Sequence, residues 1–444
     1  MTEVYKLIKP SISLKIDKAF ELLGRRPELY DYVKKVNGPE YLYWDKARFK
    51  SPPGVDPEDF WALVKALRVY SQNRLVTVVR TEKDRFFTWQ PLPGFDQFLH
   101  EVDMNLGGVL ETAPLDNPAV RQRYITRGIM EEAIASSQLE GAHTTRKAAK
   151  RMLLEKRKPR NESEQMIVNN YEGMLLIEER LRDHDLNIDL LFELHATLTR
   201  DTIDDADVGR LRRDTDNIEV SDPIAGITYH IPPAEKFLRE ELTRFVKYAN
   251  DSLQSKAFVH PVIKAIILHF WVGYLHPFTD GNGRLARAVF YWYLLRKKYW
   301  AFAYLPLSKV IKNSPVQYGK AYVYSEQDDC DLTYFIDYNI RKISQARREF
   351  EAYVSKKQKE NSRMAELAQS EFNLNERQIQ LLRYLHKNPE ATTTIKTHSQ
   401  VYEISRPTAT KDLERLEELG FLASRRHGQK KPFAATDKTR ELFH

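Results

Sequence analysis

At 444 residues the chain is longer than one compact core fills, so about two to four domains are expected. Its composition, 42% hydrophobic and 30% charged, is that of an ordinary soluble protein, and the single cysteine, Cys330, excludes an internal disulfide framework or a CxxC-type zinc site, which fits a reducing cytoplasm. A formal charge of +7 over this length is too thinly spread to assign a nucleic-acid partner by itself.

Met1–Lys9 is short and charged, with no small-residue cleavage pattern after it, so no signal peptide is expected. No fixed-period repeat is present, which argues against a solenoid or propeller. Residues 1–110 mix helical and strand patterns and form an N-terminal α+β region. Within it, Asp56–Tyr70 has apolar residues at three- and four-residue spacing, and Leu75–Arg80 with Arg85–Trp89 reads as a hairpin. This region carries no chemical motif, and packing or partner docking is its expected role.

Helical periodicity dominates residues 111–345, in Arg121–Leu139, Ser163–Leu181, Asp189–Leu198, Ala234–Asn250, His260–Leu275 and Arg284–Lys298. One interruption, Asp216–Ile231, places Asp-Pro and a glycine between two β-prone runs and predicts a hairpin. The longest apolar stretch without a formal charge, Ala265–Thr279, is shorter than the ~20 residues that span a bilayer, so a buried helix and no membrane partner are expected.

The chemistry concentrates in HPFTDGNGRLAR, residues 276–287. Pro277 breaks an apolar helix, Gly281 and Gly283 follow, and a new helical pattern begins at Arg284. Glycines before a helix N-terminus leave backbone N–H groups pointing outward with the helix dipole behind them, which makes an anion site. Arg284 and Arg287 share one face of the first turn, where positive charge opposes the dipole unless an anion is bound, and two arginines favour a polyphosphate. Asp280 would repel that phosphate without a hard cation such as Mg²⁺ between them, and His276 is a candidate general base. Taken singly, a glycine turn, a lone histidine and paired arginines are ordinarily structural; their convergence within twelve residues argues for function. Gly281–Ala286 also fits GxGxxA, but a helix precedes it and no carboxylate stands at the required distance after it, so a Rossmann reading fails.

Residues 346–371 are highly charged and free of Gly and Pro, as suits an exposed connecting helix. Residues 372–444 then form a separate unit. Leu374–Lys387, a short helix near Lys396–Tyr402, and Arg406–Leu419, capped by Ser405 and stopped at Gly420, precede a two-stranded wing formed by Phe421–Ser424 and Pro432–Thr436. Asn375–His444 has thirteen basic and nine acidic residues. Arg425, Arg426, Lys430 and Lys431 cluster in the wing, and Arg406, Thr408, Thr410 and Lys411 open the candidate recognition helix.

The 276–287 segment resembles the Fic family signature, HPFx[DN]GNGRxxR, at every specified position, and the resemblance extends over about residues 120–345. It implies a mainly α fold, a Fic helical core with a β-hairpin flap, and protein adenylyltransferase activity with ATP and Mg²⁺. By resemblance, His276 would take the proton from a target hydroxyl, Asp280 would hold Mg²⁺, and Gly281, Asn282 and Gly283 would form the anion hole. Arg284 and Arg287 would meet the β- and γ-phosphates, and Phe278 would be a core anchor. A protein substrate would dock on the 216–231 hairpin by strand addition. Tyr318 would lie near the nucleotide, although the tyrosine expected next to it is replaced by Gly319.

Ser136–Gly141 also fits [ST]xxxE[GN], the pattern of an inhibitory helix in many Fic proteins, here on the N-terminal side of the core. The resemblance pairs Glu140, assisted by Ser136, with Arg287, displacing the γ-phosphate ligand. Removal of AMP and transfer of another nucleotide stay open. Residues 372–444 resemble a winged helix-turn-helix, which admits DNA through 405–431, a protein partner, or a homodimer. A DNA-binding regulator with a nucleotide-sensing core is therefore the alternative to the enzyme.

Overall fold

The computed structural model describes residues 3–10, 16–106, 118–222, 227–253, 257–388, 390–424 and 432–442. The chain falls into two compact units, Met1–Arg348 and Glu349–His444.

In the first unit, strand β1 (Glu3–Val4) precedes helices α1 (Ile16–Arg25), α2 (Leu29–Asn37), α3 (Trp44–Ala47) and α4 (Pro57–Val69). Asp56 caps α4 by accepting from the Glu58 and Asp59 amides, and Pro57 stands at a position where its missing N–H costs nothing. The β2 (Leu75–Arg80) and β3 (Phe86–Trp89) hairpin follows, then α5 (Phe95–Leu106). These elements pack tightly on what comes later. Arg68 of α4 is 1% exposed, lies 3.6 Å over the Tyr41 ring and donates to the Tyr334 hydroxyl. Lys65 pairs with Asp328 at 2.8 Å, and Phe87 of β3 meets Phe270 and Tyr274.

The helical centre comprises α6 (Pro118–Leu139), α7 (Arg146–Glu155), α8 (Glu162–Glu179), α9 (Ile188–Thr199), α10 (Glu235–Ala249), α11 (Pro261–Leu275), α12 (Asn282–Arg296), α13 (Leu307–Lys312) and α14 (Pro315–Gln327). Helices α11 and α12 are buried on nearly every face, as their unbroken apolar character demands, and form the axis of the unit. The one lysine buried inside α11, Lys264, is paired with Asp251 and lies 4.2 Å over the Tyr248 ring. Between α9 and α10, β4 (Val220–Asp222) and β5 (Ile227–His230) make the antiparallel hairpin, the expected flap, whose residues 223–226 lie outside the described residues. β1 joins its other side, giving the order β1-β5-β4 with β1 parallel to β5.

The charged 346–371 stretch is helical, but as part of a longer helix, α15 (Thr333–Phe372). Nothing between the two regions could stop it, since residues 333–372 contain neither Gly nor Pro. In the second unit, α16 (Glu376–Lys387), β6 (Thr392–Thr393), α17 (Ile395–Val401), α18 (Arg406–Glu418), β7 (Leu422–Ser424), β8 (Phe433–Ala435) and α19 (Asp437–Leu442) follow, with sheet order β6-β8-β7. Asn375, Thr394 and Ser405 cap α16, α17 and α18. Leu381, Leu385, Leu413, Leu416, Phe421 and Phe433 fill the core. Buried Asp412 accepts from Arg377 at 2.9 Å and from Asn375 at 2.7 Å, and lies 3.2 Å from His398. The basic turn with Arg425, Arg426, Lys430 and Lys431 lies outside the described residues.

Two glycines separate packing from propensity. A Cβ on Gly128 of α6 would lie 2.2 Å from the Tyr304 Cα, whereas one on Gly24 of α1 would meet nothing within 4 Å. Gly128→Ala is expected to cost at least ~2 kcal/mol in urea unfolding, because backbone must move. Gly24→Ala is expected to be neutral or stabilising by up to ~1 kcal/mol.

Candidate active site

The site forms where α11 ends and α12 begins. A helix C-terminus leaves carbonyls without intrahelical partners, and here each of the last ones is met. His276 adopts the left-handed conformation (φ 47°) that closes many helices, and its amide bonds the Val272 carbonyl at 2.9 Å. Its Nδ1 lies 3.1 Å from the Gly273 carbonyl. A carbonyl only accepts, so Nδ1 carries the proton and Nε2 the lone pair. His230 Nε2 bonds the Tyr274 carbonyl at 2.8 Å, and buried Arg212 donates to Leu275 at 3.0 Å and His276 at 2.7 Å. Burial of the ring pushes the His276 pKa down to about 4, with the positive charge of His230 acting in the same direction. The imidazole is therefore neutral at pH 7.

The loop from His276 to Gly281 is held by its own side chains. Phe278 donates its amide to Asn282 Oδ1 at 2.9 Å, and Asn282 Nδ2 returns a bond to the Phe278 carbonyl at 2.8 Å. The buried Phe278 ring stacks on His195 of α9 at 3.7 Å. His195 Nε2 donates to the Asp280 carbonyl at 3.0 Å while Nδ1 accepts from the Gly209 amide at 3.1 Å. Gly281 (φ 76°) leads into α12, and a Cβ there would lie 2.6 Å from Thr199 Cγ2. Asn282 thus spends its side chain on loop shape.

The two arginines differ. Arg284, 1% exposed, donates to the Leu198 carbonyl at 2.6 Å and to Asp280 Oδ2 at 3.2 Å, while its Nε has no partner. The Asp280 side chain itself is 56% exposed. Arg287, 3% exposed, donates through Nε to Ser136 Oγ at 2.8 Å and through Nη2 to Glu140 Oε1 at 2.9 Å. Burial opposes its charge, yet the Glu140 carboxylate holds its pKa above the usual arginine value. The same carboxylate rests on the start of α12, since a Cβ on Gly283 would lie 2.3 Å from Glu140 Oε1. The sequence-predicted residues Ser136, Glu140, Gly283 and Arg287 therefore meet in one assembly.

A cavity of about 870 Å³ opens over these groups, bounded by Glu140, His276, Asp280 and Arg287, by Val220 and Tyr229 of the flap, and by Tyr318 and Tyr322 of α14. Tyr318 Oη lies 2.8 Å from His269 Nε2, and its ring packs edge-on against Tyr322 at 5.4 Å. Gly319 stands next to Tyr318, and Tyr322, one helical turn later on the same face, lines the cavity with it. His195, Arg212, His230 and Tyr322 were not singled out by the sequence. They come from distant segments, and a histidine among apolar helical positions, as in FELHATL, reads as core.

Residues 185–294 match the Fic/DOC family, so the chain contains a Fic domain. It is 33% identical over 117 residues to a protein adenylyltransferase Fic of Nematostella vectensis, covering 26% of this chain and 24% of that protein. Against protein adenylyltransferase fic-1 of Caenorhabditis elegans the identity is 32% over 107 residues, covering 24% and 19%. The chain thus spans about a fifth to a quarter of the length of the curated relatives it matches. In fold it is similar to the crystal structure of a Fic family protein from Desulfovibrio desulfuricans G20, with TM-score 0.50 and 18% identity over 77% of this chain and 94% of that one.

Three histidines of this region are held neutral by burial, His195 and His276 at about 4 and His269 at about 3. Unfolded, each binds its proton near 6.5. Their contribution to stability is complete above pH 6.5 and is lost as pH falls from there toward 4. Urea unfolding at stepped pH is expected to show uptake of up to three protons by these groups across that window, and His195→Gln is expected to remove one.

Proposed function

We propose that this chain transfers AMP from ATP to a hydroxyl side chain of a protein, and that Glu140 restrains it. What carries the reading is the assembly of Arg287, Glu140 and Ser136 at the start of α12, with a neutral histidine across the same cavity. Under it, the target hydroxyl oxygen attacks the α-phosphorus, the bond from that phosphorus to the β-phosphate oxygen breaks, and pyrophosphate leaves. The hydroxyl proton passes to Nε2 of His276, the nitrogen left with its lone pair by the Nδ1 bond to Gly273. The start of α12 and Arg287 would take the phosphate charge.

Asp280 fits a Mg²⁺ ion: its carboxylate is more than half exposed and bonded only on one side, by Arg284. Among the described residues there is no group of three or more His, Cys, Asp or Glu that could hold a metal. A single carboxylate matches an ion whose remaining ligands are water and nucleotide phosphates. When bound, Mg²⁺ would supply neutralisation of the phosphate charge. Glu140 acts against the same chemistry by placing a carboxylate where the dipole and Arg287 would hold phosphate. Removing it leaves Arg287 buried and unpaired, a state that favours another anion.

A protein target would add an extended segment to the flap, whose Val220 and Tyr229 line the cavity. Among the described residues no helix is long and apolar enough to cross a membrane. In the second unit, Arg406 and Lys411 are exposed at the start of α18 while Leu413 and Leu416 are buried, an arrangement that supports our proposal of DNA contact through 405–431.

Wild type, Glu140→Gly and Glu140→Gly/His276→Ala would be incubated with ATP labelled on the α-phosphate, Mg²⁺ and cell lysate. Glu140→Gly is expected to label protein at least about tenfold more than wild type, and loss of His276 to reduce that signal by ~10² or more. Absence of label with every variant, self-labelling included, would sink the AMP-transfer reading. For the second unit, binding of the full chain to a labelled duplex should fall steeply between about 50 and 200 mM salt and weaken in Arg406→Ala/Lys411→Ala. Binding insensitive to both would exclude DNA.

A further inference from the structure

Strand β5 ends at His230, whose two ring nitrogens both face acceptors. Nε2 lies 2.8 Å from the Tyr274 carbonyl and Nδ1 2.7 Å from Glu326 Oε2. The carbonyl requires a proton on Nε2, and the second proton lies between Nδ1 and the carboxylate, as in an imidazolium–carboxylate pair. The side chains are 10% and 18% exposed. The pair joins three elements, with His230 from the flap strand, the Tyr274 carbonyl from the end of α11 and Glu326 from the last turn of α14. The His276 ring lies 6.4 Å from that of His230.

We infer that His230 is a positioning residue for the transfer reaction, its two bonds clamping the flap strand beside His276 and its charge weakening the proton affinity of that base. The inference deepens the proposed AMP transfer and rests on it for the kinetic consequence. Burial works against a charged His230, but attraction to Glu326 and the bonds to Glu326 and Tyr274 outweigh it, and its pKa is raised. The other groups facing this pair are few. Arg212, from the segment before the flap, adds positive charge beside His276, and Asp280 on the loop acts in the opposite sense. The Tyr274 hydroxyl stays protonated, raised by burial and by Glu326.

The arrangement answers a difficulty of using a histidine at a helix C-terminus. The dipole and the carbonyls there favour a cation, whereas burial of the ring opposes one. A fixed positive charge at about this distance adds to the effect of burial. It also makes the proton taken from the hydroxyl easy to give up after transfer, so the base returns to its neutral form. As pH rises through the raised His230 pKa, the ring loses its proton and the clamp to Glu326 loses its charge.

The test is a histidine ¹³C NMR titration of the full chain, with the His276 signal assigned by its loss in His276→Ala. In both His230→Gln and Glu326→Gln, the His276 midpoint is expected to rise by about one pH unit. In the Glu140→Gly background, the acid limb of kcat/KM for AMP transfer should move upward with it. Glu326→Gln keeps the shape of the native side chain, so an unmoved His276 midpoint in that variant overturns the inference even where His230→Gln misfolds. The titration reads the coupling without any turnover. A shifted midpoint with no transfer by Glu140→Gly would therefore support the coupling and refute the proposed activity, and the two failures stay distinguishable.

Discussion

The meeting of two helix ends governs this molecule. Helix α11 stops with its carbonyls exposed and α12 starts after six intervening residues with its amides exposed, so a negative pole and a positive pole face one short loop. A fold cannot leave both unsatisfied in its interior. The carbonyl pole is met by two donors from far away in sequence, Arg212 and His230, and by the capping residue His276 itself. At the amide pole the Glu140 carboxylate lies against Gly283 and accepts from Arg287. A neutral imidazole therefore sits at one pole and a helix N-terminus with Arg287 at the other, which is the polarity that the proposed transfer to an attacking hydroxyl would use.

The contact between Glu140 and Arg287 has a different physical character from a movable lid. Glu132, Ser136 and Glu140 follow one another at four-residue spacing along and just past α6. Glu132 is fully buried and accepts from the Tyr291 hydroxyl at 2.8 Å, the Ser308 amide at 2.9 Å and the Ser308 hydroxyl. Gly128 lets the same helix run against the backbone of Tyr304. A helix fixed at both points will not swing out as a body without breaking a buried network. Relief of the Glu140–Arg287 contact is then expected at the last turn, where Glu140 follows the helix end at a glycine, and not through detachment of α6.

Much of this was legible in the sequence because the signals were local. Helix periods, the Ser405 cap, the Asp-Pro hairpin and the twelve-residue loop all depend on neighbours in the chain. Glu140 and Arg287 are 147 residues apart, and their pairing was expected only through resemblance. His195, His230 and Arg212 left no local trace, since their roles come from meeting the loop in three dimensions. Tyr322 was missed for a simpler reason: a partner was sought beside Tyr318, whereas a helix brings together residues one turn apart. The start of α15 was missed because a helix continues until something stops it, and the change in composition near residue 346 stops nothing.

The N-terminal strand adds a constraint to any use of the flap. The Tyr5 amide bonds the Thr228 carbonyl at 2.7 Å, and Gln327 of α14 brackets the next turn of chain by bonding both the Tyr5 carbonyl and the Leu7 amide. In an antiparallel pair, alternate residues direct their backbone groups to opposite sides. Thr228 faces β1, so its opposite number Ser221 directs its own N–H and C=O outward from β4. Of the two edges of this sheet, that is the one whose residues line the cavity. An extended segment added there would run beside His276, whereas one added to β5 would first have to displace the chain's own N-terminus. Among the described residues the flap is in this sense one-sided, and the edge without a further strand is the one that lines the cavity.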